Sequence, residues 1–83
     1  MRRFEVLATS VCAIQRLCTA ALLAPFQVTC KQGIYAVDAK SILGLFSLNL
    51  TDKLMIEVPD CEFVDDFASE LHKCCNSVVE VLD

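Results

Sequence analysis

The cysteines are the side chains of this sequence that could act as nucleophiles, and the 83-residue chain carries six of them. Cys12 follows Ser10 at the predicted start of a helix, where the helix dipole lowers the pKa of a thiol. Arg16 lies one turn further on and could stabilise a developing negative charge. A thiolate at Cys12 could carry a phosphoryl group or take part in redox chemistry. The sequence shows no histidine or acidic residue beside Cys12 that could act as a base. The alternative is therefore that Cys12 has a purely structural role.

A second pattern with possible chemistry is His72-x-Cys74-Cys75. Histidine and cysteine are the ligands that zinc prefers, but a structural zinc site needs four of them. Positions i, i+2 and i+3 do not share one face of a predicted helix, and the fourth ligand is missing. We therefore expect no metal and no other cofactor. Most of the six cysteines are expected to be reduced and to act as small buried hydrophobic residues.

Ser41 combines a hydroxyl group with a predicted helix N-cap position. It lies between a short predicted strand that ends near Asp38 and an apolar run over 42–48. A serine at this position satisfies free backbone amides of the first helical turn. A phosphoserine would be held by the same amides and the helix dipole, with the charge of Lys40 next to it. Ser41 is thus either a capping residue only or a regulated phosphorylation site.

Charge and composition exclude several classes of partner. The net charge is −4, and residues 60–83 hold seven acidic residues against one lysine. An acidic C-terminal third without a Lys/Arg cluster elsewhere argues against nucleic-acid binding. The apolar stretch over 17–26 is shorter than the roughly 20 residues that span a bilayer, so we expect no membrane segment. The length and the 55% hydrophobic content predict one ordered domain over residues 1–83.

Periodicity predicts seven elements in the order βαββαβα. Apolar residues alternate with polar ones over 26–30 and 54–58 and lie on one face of 3–8, and 34–37 returns as the hairpin partner of 26–30 after a turn at Gly33, which together predict four strands. Helices are predicted from Thr9 or Ser10 to Ala24, over 41–47, and from a cap at Asp60 to Leu82. The predicted fold class is α/β (α+β): an open-faced sandwich in which three helices cover one face of a four-stranded antiparallel sheet.

The segment Val37-Asp38-Ala39-Lys40-Ser41-Ile42-Leu43-Gly44-Leu45-Phe46-Ser47-Leu48 resembles the regulatory-serine region of HPr, the histidine-containing phosphocarrier of the bacterial sugar phosphotransferase system. The similarity extends over 26–58, and the predicted order of elements is that of the HPr family. It implies an HPr-like fold with Ser41 as the target of a regulatory kinase. It also implies a docking surface for phosphotransferase-system or regulatory proteins, made of Lys40, Ile42, Leu43, Leu45, Phe46 and Leu48.

The start of the first helix departs from the HPr family. HPr proteins carry a histidine there that accepts the phosphoryl group, whereas this chain has Cys12, Ala13 or Gln15, depending on the alignment gap. None of these can form a phosphoimidazole. We therefore expect a cytoplasmic, non-enzymatic protein that acts by protein contact, with Ser41 as a candidate switch. Two alternatives remain: a phosphoryl carrier that uses Cys12, and a structural or interaction module that keeps only the fold.

Overall fold

The computed structural model describes residues 1–82, in which three helices pack against a five-stranded antiparallel sheet. The elements in chain order are β1 (Arg2–Leu7), α1 (Val11–Leu23), β2 (Thr29–Gln32), β3 (Tyr35–Asp38), α2 (Ile42–Phe46), β4 (Leu54–Val58), α3 (Val64–Cys74) and β5 (Ser77–Val81). The strand order in the sheet is β3-β2-β4-β1-β5. The predicted α+β class with three helices and an antiparallel sheet is confirmed. The predicted four strands and the order βαββαβα are wrong, because a fifth strand follows α3.

The core lies between the helices and one face of the sheet. Alternate residues of β1 and β4 point into it, as the pattern of apolar residues in these two strands predicts. They pack with the buried faces of α1 and α3 in a single cluster. Most of the cluster consists of large aliphatic and aromatic side chains: Phe4, Val6, Ile14, Leu17, Leu54, Ile56, Val58, Val64, Phe67 and Leu71.

The opposite face of the sheet carries ion pairs across neighbouring strands. Glu57 of β4 accepts from Arg3 of β1 at 3.0 Å and from Lys31 of β2 at 2.9 Å. Lys53, just before β4, lies 3.1 Å from Glu5 of β1. The hydrogen bond from Lys31, and then that from Arg3, lower the pKa of Glu57 despite partial desolvation. Alternation of apolar and charged residues thus produces a sheet with one face in the core and one face that is charged.

Local capping and turn residues set several element boundaries as the sequence predicts. Ser10 caps α1 by accepting from the backbone N–H of Ala13 at 3.0 Å. The β2–β3 turn has Gly33 at its first central position with φ 59°, which is typical of a type II′ hairpin turn. β2 begins at Thr29, three residues later than predicted. The core face of α1 is centred on Ile14, Leu17, Cys18 and Ala21, so the apolar residues Val11 and Leu22 on its other side are exposed.

The C-terminal quarter differs most from the predicted structure. α3 begins at Val64 rather than after a cap at Asp60, and it ends at Cys74. Cys75 is extended, and the Asn76 backbone N–H donates to the Leu7 carbonyl at 2.7 Å. β5 then pairs with β1 over Arg3–Leu7.

The residues of β5 explain why it forms a strand at this edge. Three of its five residues are valines, which favour strands because of their β-branching. Glu80, which lies within the predicted last helix, is instead in this strand and accepts two hydrogen bonds of 2.8 and 2.9 Å from Arg2. Arg2 also donates to Asp65 of α3 at 2.9 Å. β5 thereby covers the edge of β1, which would otherwise expose unpaired backbone groups.

Candidate functional site

Ser41 lies at the N-cap of α2, as predicted. Its hydroxyl is exposed and accepts from the Gly44 backbone N–H at 3.2 Å, and its own N–H donates to the Asp38 carbonyl at 2.9 Å. The Asp38 carboxylate accepts from the Lys40 backbone N–H at 2.9 Å. The chain between β3 and α2 is therefore fixed by three short hydrogen bonds. They hold the Ser41 hydroxyl at the surface.

Gly44 allows α2 to lie close to β3. A Cβ at this position would be 3.3 Å from the Val37 Cβ and 3.4 Å from the Ser41 hydroxyl oxygen. The first separation is tight enough that Val37 would have to shift by a few tenths of an ångström, whereas the second is at the limit of ordinary van der Waals contact. The glycine in the apolar run therefore allows α2 to lie close to Val37 of β3.

The apolar residues of α2 and its C-terminal end divide into a buried and an exposed set. Leu45 is fully buried and Leu48 is 8% exposed, and both belong to the core. The prediction that these two side chains contact a partner is therefore corrected, since Leu45 exposes no area to it and Leu48 exposes very little. Leu43 is 80% exposed and Phe46 is 39% exposed, while Ile42 is half-buried.

The exposed set continues onto α1. A shallow depression between the two helices is lined by Leu22, Lys40 and Ile42. Leu22 is exposed, and the Lys40 ammonium lies 3.4 Å from the carbonyl of Ala24, just after α1. We call Leu22, Ile42, Leu43 and Phe46 the α2 patch. Of the six predicted contact residues, the structure thus brings Lys40, Ile42, Leu43 and Phe46 to the surface around Ser41.

The three positions proposed for the missing histidine lie in the first turns of α1. Cys12 and Gln15 are exposed, whereas Ala13 is buried. Gln15 lines the depression that also contains Lys40 and Ile42. Within residues 1–82, no side chain forms a hydrogen bond with the Cys12 thiol. Cys12 therefore has an accessible sulfur but no base in the described structure to activate it.

A groove between α1 and α3 is a feature that the sequence did not predict. It has a volume of about 520 Å³ and is lined by apolar residues near the C-terminal end of α1, by three phenylalanines, and by Arg16, Asp66, Glu70 and Cys74. Phe26 and Phe67 meet edge to face with ring centroids 5.7 Å apart, and Phe63 is half-exposed. Phe26 was predicted in a strand, and Phe63 and Phe67 in the last helix, so no sequence signal grouped them.

The other five cysteines occupy three environments, since Cys61 is exposed like Cys12 and the remaining four are buried or half-buried. The expectation that most of the six cysteines are buried is therefore wrong, because only two of them lie in the core. Cys18 and Cys30 are buried, and burial raises the pKa of Cys18 and raises that of Cys30 to about 12. Cys74 and Cys75 are half-buried at the end of α3, with their sulfurs 3.6 Å apart. The hydrogen bond between the two thiols lowers the pKa of Cys74 and raises that of Cys75. Arg16 also favours the Cys74 thiolate, against partial desolvation.

Groups that would bind a divalent metal do not come together in the part of the chain described. Residues 1–82 contain no cluster of three or more histidine, cysteine or acidic side chains in metal-binding positions. His72 is exposed in the last turn of α3. None of the helices within these residues combines the length and the apolar character that crossing a bilayer requires.

Comparison of the chain with protein-family models, curated proteins and solved structures gave no match. The functional interpretation therefore depends on the residues of the α2 region and on their geometry. The relevant features are the capping hydroxyl of Ser41, the charge of Lys40 and the exposed side chains of the α2 patch.

Proposed function

We propose that this protein is a non-catalytic, HPr-like regulatory module that contacts a protein partner through the α2 patch and is switched by phosphorylation of Ser41. The main support for this proposal is that Leu43, which is 80% exposed, and Phe46 lie one turn apart on the helix that Ser41 caps. The first seven elements also follow the order that HPr proteins have. We assign the protein to the cytoplasm with the phosphotransferase-system and regulatory proteins, which are the proposed partners.

The exposure of the α2 patch favours a binding role over a structural one. Single exposed apolar side chains are normal at a protein surface, but here exposed Leu22, Leu43 and Phe46 accompany the half-buried Ile42, and burial of such a patch by a partner is favourable. At about 25 cal/mol per Å² of apolar area removed from water, such a patch supplies part of the affinity of a weak, reversible complex. The complementary surface on the partner is therefore apolar where it meets Leu43 and Phe46.

Lys40 and Ser41 determine the charge at the edge of this contact. Before modification the edge carries the positive charge of Lys40 alone. A phosphoserine would add a charge of about −1.5 to −2 and three acceptor oxygens. The partner of the modified form therefore needs arginine or lysine side chains opposite Ser41, since these bind phosphate oxygens through charge-assisted hydrogen bonds.

The first turns of α1 support regulation rather than phosphoryl transfer. Phosphoryl transfer through a side chain requires an activated nucleophile. Gln15 is not a nucleophile, Ala13 is buried, and Cys12 lacks an activating group among residues 1–82. We therefore propose that the protein accepts phosphate from ATP through a serine kinase and not from phosphoenolpyruvate.

Two labelling reactions test this function. In the first, the protein is incubated with radiolabelled phosphoenolpyruvate and the general phosphotransferase enzyme that phosphorylates HPr. In the second, it is incubated with radiolabelled ATP and the HPr serine kinase. We expect no label in the first reaction and an acid-stable label in the second that Ser41→Ala abolishes. Label from phosphoenolpyruvate that disappears in Cys12→Ala would contradict the proposal and favour the carrier alternative.

The contribution of the α2 patch is tested by the same kinase reaction with Leu43→Asp. Ile34→Asp is the matched control, because Ile34 is 93% exposed at the β2–β3 turn and outside the patch. We expect Leu43→Asp to raise the KM for the protein substrate, while Ile34→Asp leaves it unchanged. Equal KM values for the two variants would show that the patch takes no part in docking.

A further inference from the structure

We infer that Cys74 and Cys75 form a chelating site for monosubstituted trivalent arsenic compounds, with the organic substituent in the groove between α1 and α3. The two sulfurs are in van der Waals contact at 3.6 Å, and Cys74 lines the groove. This inference is independent of the function proposed for Ser41 and the α2 patch.

The end of α3 brings the two sulfurs together. Successive residues in a continuous α-helix point about 100° apart, so neighbouring cysteines there do not converge. Here Cys74 is the last helical residue, and Cys75 is extended with φ −100° and ψ 151°. The Cys75 backbone N–H still makes the last helical hydrogen bond, to the Leu71 carbonyl at 2.9 Å, whereas the next N–H, of Asn76, donates to the Leu7 carbonyl of β1 at 2.7 Å and so ends the helix here. The convergence of the thiols is therefore determined by the backbone.

Coordination chemistry distinguishes this site from a zinc site. A structural zinc ion needs four protein ligands, and no third ligand joins the pair within residues 1–82. A monosubstituted arsenic(III) centre is pyramidal and brings its own third substituent, so two thiols complete it. In the reaction R–As(OH)₂ loses both As–O bonds and gains two As–S bonds. The two thiol protons leave with the hydroxide groups as two water molecules, and arsenic remains trivalent.

The surroundings of Cys74 favour an aromatic substituent on the arsenic. The groove beside it has a volume of about 520 Å³ and contains Phe26, Phe63 and Phe67. Phenyl rings pack favourably against such residues in edge-to-face or offset arrangements. Arg16 at the same groove stabilises the Cys74 thiolate, the form that attacks arsenic.

Phenylarsine oxide is the probe for this site. The reduced full-length protein is titrated with it and analysed by native mass spectrometry. We expect one phenylarsenic group per chain, retained in excess 2-mercaptoethanol and removed by 2,3-dimercaptopropanol. Cys74→Ala and Cys75→Ala should each weaken binding by about 10²-fold or more. Each variant keeps one thiol, and arsenic bound to it no longer has a second thiol nearby at high effective concentration.

Controls separate the pair from the other thiols and from unfolding. The double variant Cys12→Ala, Cys61→Ala removes the two exposed cysteines outside the pair and should bind as tightly as the natural chain. Far-UV circular dichroism verifies that each variant is folded. Binding that persists in a folded Cys74→Ala, Cys75→Ala variant overturns the site, as does the absence of binding to the natural chain. Equal affinity for methyl- and phenylarsenic compounds overturns the role of the groove.

Discussion

Replacing Ser41 by alanine tests whether its side chain caps α2 in solution. The variant loses the 3.2 Å hydrogen bond to the Gly44 N–H. Loss of a serine N-cap costs about 1 kcal/mol of stability. For a domain of 60–100 residues, 1 kcal/mol lowers Tm by about 4–8 °C. We therefore expect Ser41→Ala to unfold about 4–8 °C below the natural chain, and Ser41→Asp, whose carboxylate also caps, to unfold close to it.

Thermal and urea unfolding followed by far-UV circular dichroism measure this difference. Ser69→Ala is the control, because Ser69 is an exposed residue inside α3 and alanine favours a helix interior. It should leave Tm unchanged or raise it slightly. A Ser41→Ala variant with the natural Tm would refute the capping role, and so would a Ser41→Asp variant as unstable as Ser41→Ala. The result also sets the temperature at which the Ser41 variants can be compared in the kinase reaction.

Three further predictions concern the core, the charged face and β5. Leu71→Ala removes a fully buried side chain and should lower the free energy of unfolding by about 2–5 kcal/mol, measured by urea denaturation; a smaller loss would contradict its burial. Lys31, and then Arg3, lowers the pKa of Glu57, so the Glu57 carboxylate stabilises the fold at neutral pH. This stabilisation is lost as the pH falls below about 4.3, the ordinary pKa of a glutamate, and through the lowered pKa of Glu57 in the folded state. Glu57→Gln should therefore lose less stability than the natural chain over that interval, and parallel curves would refute the ion pair. Asn76→Ala removes an acceptor for the Thr9 N–H and hydroxyl at 3.1 and 3.2 Å, and should speed hydrogen exchange in β5 more than in β4; equal rates would argue against this anchor.

Local sequence signals predicted the elements that depend on neighbouring residues. Gly33 in its turn, Ser10 and Ser41 at their caps, and the alternation in β4 all act over four or five residues. The geometry they require is therefore visible in the sequence. The position of Ser41 at the start of α2 belongs to this class. Whether a kinase recognises it remains a prediction.

The C-terminal quarter could not be predicted in the same way. Phe67, Leu71 and Val78 fit a helical spacing, and the valines of Ser77–Val81 fit a strand equally well. What decides between them is the free edge of β1, which is more than 65 residues away along the chain. Pairing with β1 gives the backbone N–H and C=O groups of β5 hydrogen-bond partners that a helix would supply within itself. It also brings Glu80 to Arg2.

The sequence by itself determined the α+β class, the serine caps of α1 and α2, the hairpin and the absence of a histidine at the start of α1. Each depends on residue identity or on contacts a few positions apart. Only the tertiary structure decided which α2 side chains are buried, how α1 and α3 form a groove, and that β5 extends the sheet. These features depend on the packing of elements distant in sequence, because burial is a property of the assembled core.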